Sequence, residues 1–112
     1  MMSNEFEHSR IFQYAESIDY ATGGIVSRQV IQRKAGNVTL FAFDAGQKLS
    51  EHTAPFDALI QVLEGEGEIL IQHQPYRLTA GQAIIMPAHI PHAVNAVGRF
   101  KMLLIMIKDL QQ

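Results

Sequence analysis

The sequence predicts an all-β fold, a small sandwich or barrel preceded by a short N-terminal arm or helix. Three observations carry this. From Gly24 onward, short runs rich in β-branched and aromatic residues are broken at close intervals by Gly, Pro, Asn and Asp, the pattern of antiparallel strands and tight turns. Several of these runs are apolar on both faces, so each strand needs cover on two sides. The chain has 112 residues, 47% of them hydrophobic and 18% charged, which suits one core and argues against disorder. One domain, 1–112, is expected, with an arm over 1–23 and a β-barrel over 24–107.

The elements follow in order. Between Phe6 and Tyr20, residues Ile11, Phe12, Tyr14, Ala15 and Ile18 recur at roughly helical spacing, which gives a short helix or an arm. Ile25 to Arg33 reads as a strand, Lys34-Ala-Gly-Asn37 as a turn supplying Gly or Asn where positive φ is needed, and Val38 to Phe43 as the returning strand. Asn37-Val38-Thr39 matches a glycosylation acceptor, but with no secretory signal it reads as the turn into that strand. Leu59 to Leu63 and Glu68 to Ile71 flank Glu64-Gly65-Glu66-Gly67, a second hairpin. Tyr76 to Leu78, Ala83 to Met86, His92 to Ala96 and Phe100 to Ile107 complete the strands. In the last, Phe100, Met102, Leu104 and Met106 share one face, and Leu103, Ile105 and Ile107 share the other. One face fills the interior. The other needs a partner sheet, the N-terminal segment or a second subunit, and a homodimer is expected on that ground.

Composition excludes several classes of function. A net charge of −2 supplies no basic face to displace counterions from phosphates, so nucleic acid is not an expected partner. Without cysteine there is no disulfide, thiolate nucleophile or Cys-based metal site. The longest apolar run, Met102 to Ile107, is too short to span a bilayer, and the opening residues lack a basic segment followed by an apolar one. A cytoplasmic protein without a membrane partner is expected.

Two histidine motifs locate the candidate site. The first is Gly46-Gln-Lys-Leu-Ser-Glu-His52, followed by Gly65; the second is Gly81-Gln-Ala-Ile-Ile-Met-Pro87-Ala-His89-Ile-Pro91-His92. With these spacings the chain resembles a small single-domain cupin of the RmlC-like superfamily, the conserved-barrel type. The segments Ser50 to Leu59, Ile85 to Ala88 and Pro91 to Val94 resemble a bacterial subgroup of unassigned function. The resemblance implies a double-stranded β-helix, or jelly-roll barrel, with the motif residues facing its pocket. It also implies a departure. Complete family members hold a divalent metal through three His and one Glu, and here Ala54 stands at the second His position and Ala58 at the Glu position. In the second motif, His89 replaces a Gly and Ala96 an Asn.

An imidazole inside a barrel is disfavoured as a cation, so His52 and His92 suit either metal ligation or neutral hydrogen bonding. Strand periodicity keeps residue 54 on the same side as 52, so Ala54 lines the pocket without ligating. Changes outside the first coordination shell already weaken metal sites by roughly 10 to 100-fold, and losing two direct ligands costs more. Asp57 and Gln61 are out of register to replace them. His89, three residues before His92, is the candidate third ligand. His73 reads as a turn residue and His8 as terminal.

The expected function is a small-molecule-binding barrel with a degenerate metal site, its pocket lined by His52, His92, Ala54, Ala58, Ile60 and Met86, and by Phe41 or Phe43, Val62, Met102 and Leu104. No cofactor is firmly assigned. The alternative is a metal-dependent enzyme, dioxygenase- or isomerase-like, in which His52 and His92, with His89, hold Fe, Mn, Ni, Cu or Zn. A third reading makes one histidine a general base, as in sugar epimerases of related fold, and calls for a Tyr acid such as Tyr76 or Tyr20.

Overall fold

The computed structural model describes residues 5–109. Their order is a 3₁₀ turn, Tyr14–Glu16, then β1 (Ile25–Arg33), β2 (Gly36–Phe43), β3 (Lys48–His52), β4 (Asp57–Glu64), β5 (Glu66–Ile71), β6 (Gln74–Thr79), β7 (Ala83–Met86), β8 (His92–Ala96) and β9 (Phe100–Ile107). All pairing is antiparallel, in a five-stranded sheet β1-β2-β9-β4-β7 and a four-stranded sheet β3-β8-β5-β6. The fold is the expected all-β jelly roll, with two facing sheets that share no ladder among the described residues. No described helix is long and apolar enough to cross a membrane.

Two elements differ from expectation. β3 has no counterpart in the sequence reading, because Lys48-Leu49-Ser50-Glu51-His52 is short, mostly polar and largely exposed, and carries no β-branched or aromatic residue. The helical spacing of Ile11 to Ile18 yields a single three-residue turn. Ile18 is buried while Ile11 is 99% exposed, so the residues do not form one apolar helix face and the segment is an arm.

The arm lies on the outer face of the larger sheet. Ile18, with Phe6 and Tyr20, packs on Val30, Leu40, Ala42 and Leu103, the outward residues of β1, β2 and β9. Glu5 accepts from the Gln32 amide at 2.7 Å and pairs with Arg33. Lys101, buried on β9, donates to the Ala15 carbonyl at 2.6 Å and lies 3.7 Å from Glu64, while the Tyr20 hydroxyl donates to Glu64 at 2.6 Å. Burial, then the Glu64 carboxylate, holds the Tyr20 pKa well above its ordinary value. Much of the apolar outer face is therefore covered from within the chain. A register-aligned row, Ile31–Val38–Ile105–Leu59–Ile85, crosses all five strands, and Ile31, Ile85 and Ile107 stay exposed.

Between the sheets, packing is dense at one end. Phe43 and Phe100 stack at 4.7 Å against Val62, Ile69, Leu78 and Ala96. Gly67 makes room for this: a Cβ there would lie 2.6 Å from the Phe100 ring. Gly65 has φ +78°, and a Cβ would meet the Arg99 carbonyl at 2.1 Å, so no other residue fits that turn without rearrangement. At the β5–β6 turn, Gln72 and His73 hold φ of 52° and 68°, the left-handed values of a two-residue hairpin turn.

Candidate functional site

Strands β3 and β8 bring the two motif histidines together. His52 and His92 are register partners, both on the side of the strands that faces the interior. Their rings meet edge to face, centroids 4.3 Å apart, with the Nε2 atoms 3.1 Å from each other. On the far side, His52 Nδ1 lies 2.8 Å from the Ser50 carbonyl oxygen and His92 Nδ1 lies 3.3 Å from that of Ile90. A carbonyl can only accept, so where both contacts form each Nδ1 carries the hydrogen and the two Nε2 atoms meet as acceptors, a pairing that a shared proton or a bound donor must bridge. Burial chiefly, and then charge on His52, pushes the His92 pKa below its ordinary value, with the Ile90 carbonyl opposing.

The pair sits on the wall of a cavity of about 490 Å³ whose other lining residues include Ala54, Ala58, Ile60, Met86, Phe41, Met102 and Leu104. The space follows from residue size: Ala54 and Ala58 carry only a methyl beside the imidazoles. All six residues singled out from the motifs and strand periodicity, His52, His92, Ala54, Ala58, Ile60 and Met86, lie on this one wall. Of the Phe pair it is Phe41 that lines the cavity, while Phe43 and Val62 lie deeper in the dense core.

Leu49, Thr53, Phe56, Val94 and Met106 also line the cavity and were not anticipated there. Val94 and Met106 share parity with His92 and Met102, so strand periodicity could have found them. Leu49 could not be found that way. It lies three positions before His52, and only the register shift between them puts both on the interior side. Phe56 and Thr53 belong to the loop between β3 and β4, for which periodicity says nothing.

His89 does not join the pair. It sits at φ 65°, its amide donates to the Ala54 carbonyl at 2.7 Å, and its side chain lines a separate concavity with Asp57 and Lys108. Asp57 instead accepts from the Ala88 amide at 2.8 Å and so holds the loop that carries His89. Among the described residues, no group of three or more His, Asp or Glu could hold a metal ion. The two imidazoles supply donors, but the positions that would complete a cupin metal set are methyl groups, and the residues present do not fit that set.

Other candidates resolve structurally. Tyr20 is engaged with Glu64 and Tyr76 is exposed on β6, so neither reaches the histidines. The acidic turn is paired: Glu66 and Glu68 with Arg77, and Glu64 with Lys101. Asn95, next to the motif's usual Asn position, donates to Glu68. His73 pairs with Glu51 at 3.1 Å, and Gln72 donates its amide to the Pro91 carbonyl at 2.7 Å, so the β5–β6 turn braces both chain segments that deliver the histidines.

Comparison with known proteins gives a consistent result. A family model described as the cupin domain matches residues 39–108. A conserved protein of unknown function from Streptococcus pyogenes is 38% identical, with a TM-score of 0.90 over 98% of both chains. A cupin superfamily protein from Desulfitobacterium hafniense is 30% identical, with a TM-score of 0.87 over 97% of this chain and 99% of that one. A cupin 2 conserved barrel domain protein from Leptotrichia buccalis is 40% identical over 87% of this chain, which spans 47% of that protein, with a TM-score of 0.84. No curated protein matches the chain by sequence.

Proposed function

The chain belongs to the cupin domain family, and from that premise we propose that it binds a small, largely apolar molecule in the cavity between its sheets, with His52 and His92 facing the ligand's polar group. One observation carries this reading. The cavity is lined by apolar side chains except at Thr53 and the paired imidazoles, the combination of an apolar enclosure with a few placed polar groups that small-molecule sites share. Its volume of about 490 Å³ falls within the usual range for such sites, roughly 300 to 1,000 Å³. Ala54 and Ala58 fit this reading, since they leave room where metal-binding relatives place ligands.

A second reading keeps a divalent metal on the two Nε2 atoms, with open positions for ligand or solvent. The convergence of those atoms at 3.1 Å favours it; the missing third donor counts against it. One experiment separates the two. Protein purified without an affinity tag is analysed for metals and, by native mass spectrometry, for retained small molecules. We expect substoichiometric metal and a retained organic species that Ala58→Phe displaces. Stoichiometric Fe, Mn, Ni, Cu or Zn, lost in both His52→Ala and His92→Ala, would overturn the first reading in favour of the second.

A further inference from the structure

The hydrogen bonds behind the two imidazoles restrict what their front edges recognise. Ser50 and Ile90 offer carbonyl oxygens to the Nδ1 atoms at 2.8 and 3.3 Å, which favours in each neutral ring the tautomer with a bare Nε2. Both bare nitrogens point to one spot at the cavity wall, 3.1 Å apart, and a buried acceptor without a donor is costly. Among the described residues no Lys, Arg, Asp, Glu or Tyr lines the cavity. Nothing charged there supplies the nitrogens with hydrogens or offsets an anion. A carboxylate head would set its lone pairs against two more. A hydroxyl or ammonium head supplies a hydrogen that both nitrogens can accept.

Resting on the reading of the cavity as a small-molecule site, we propose that its ligand is an apolar compound bearing one hydrogen-bond-donating head group, an alcohol or a primary amine, held at the Nε2 atoms of His52 and His92, and that the site selects against the carboxylate of the same skeleton. His92, the buried member, is the main acceptor. His52, at the exposed mouth, is the second, and an ammonium has hydrogens enough for both.

The test uses phenylpropanol, phenylpropylamine and phenylpropionate as matched probes of one skeleton, titrated calorimetrically into untagged, metal-stripped protein. The alcohol or the amine is expected to bind at least about tenfold tighter than the carboxylate, the scale of one hydrogen bond made against one left unmade. Comparing the two donors tells the neutral head from the cationic one. His92→Phe and, as the variant less exposed to folding defects, His52→Phe keep an apolar ring without the acceptor and should shrink that ratio toward one while retaining binding of the skeleton. Ala58→Phe should abolish binding of all three. A carboxylate that binds as well as the donors, or a ratio unchanged in both histidine variants, would sink the head-group assignment while leaving the cavity reading intact. Failure of every probe, with Ala58→Phe indistinguishable from the parent protein, would remove the cavity reading itself and this inference with it.

Discussion

The two ends of the interior share β2, β4, β8 and β9 and differ in how those strands are filled. On β2, Phe43 lies at the dense end and Phe41 at the cavity. On β4 the sequence of inward residues runs Val62, Ile60, Ala58; on β8, Ala96, Val94, His92; on β9, Phe100, Met102, Leu104, Met106. At one end a stacked Phe pair is accommodated by glycine at 67. At the other, alanines stand beside imidazoles and nothing fills the gap. The contrast shows a scaffold whose tightest ring packing lies at one end, while the opposite end is hollow and apolar but for Thr53 and the two imidazoles.

That contrast can be broken by substitution. The largest effect is expected for Phe100→Ala, which removes a fully buried ring and should cost about 3–5 kcal/mol in urea unfolding; a loss below about 1 kcal/mol would deny the dense end its role. Gly67→Ala should follow. The added methyl would lie 2.6 Å from the Phe100 ring, and displacing that ring should cost roughly 1–3 kcal/mol by the same measurement. Ala58→Leu at the hollow end should leave stability within about 1 kcal/mol of the parent, while ligand retention falls sharply. A penalty there as large as that of Gly67→Ala would mean the cavity is already packed.

The smallest effect concerns pH. His92 has a folded pKa below its ordinary 6.5, so the unfolded chain takes up its proton first as pH falls. Its contribution to stability is complete above about 6.5 and declines as pH drops from there to the folded pKa, below which it is lost. Unfolding midpoints measured across that window should decline less steeply in His92→Phe. An equal slope in the variant would assign the pH dependence to other groups.

Much of this was legible in the residues. Short β-rich runs set off by turn residues located eight of the nine strands, most plainly β9, whose inner and outer faces are both apolar. The two glycine-led histidine motifs located the wall of the cavity for the same reason that they mark the fold, since turn glycines and a proline set the strands that carry them. β3 was hidden because its residues are exposed and polar. Parity put residues 41 and 43 on one face but not at a depth. The register shift that turns Leu49 inward and the left-handed loop that holds His89 away are backbone events decided by neighbours distant in sequence. So is the convergence of the Nε2 atoms, which draws on one carbonyl from β3 and one from the loop before β8.

The contact between Lys101 and the Ala15 carbonyl joins residues 86 positions apart, so the arm is not fully seated until β9 is in place. The surface on which the arm rests includes Leu103 and Lys101 of β9, the strand most distant from it in sequence. Part of the arm can dock on β1 alone, since the Phe6 amide donates to the Val30 carbonyl and Arg28 to that of Ser17, but the Lys101 anchor waits until β9 is inserted between β2 and β4, and closure over so long a separation is a slow step. Until β9 is in place Ile18 lacks its Leu103 neighbour and the outer face of β2 lacks the strand beside it, so the arm is seated in two stages, first on β1 and then on β9.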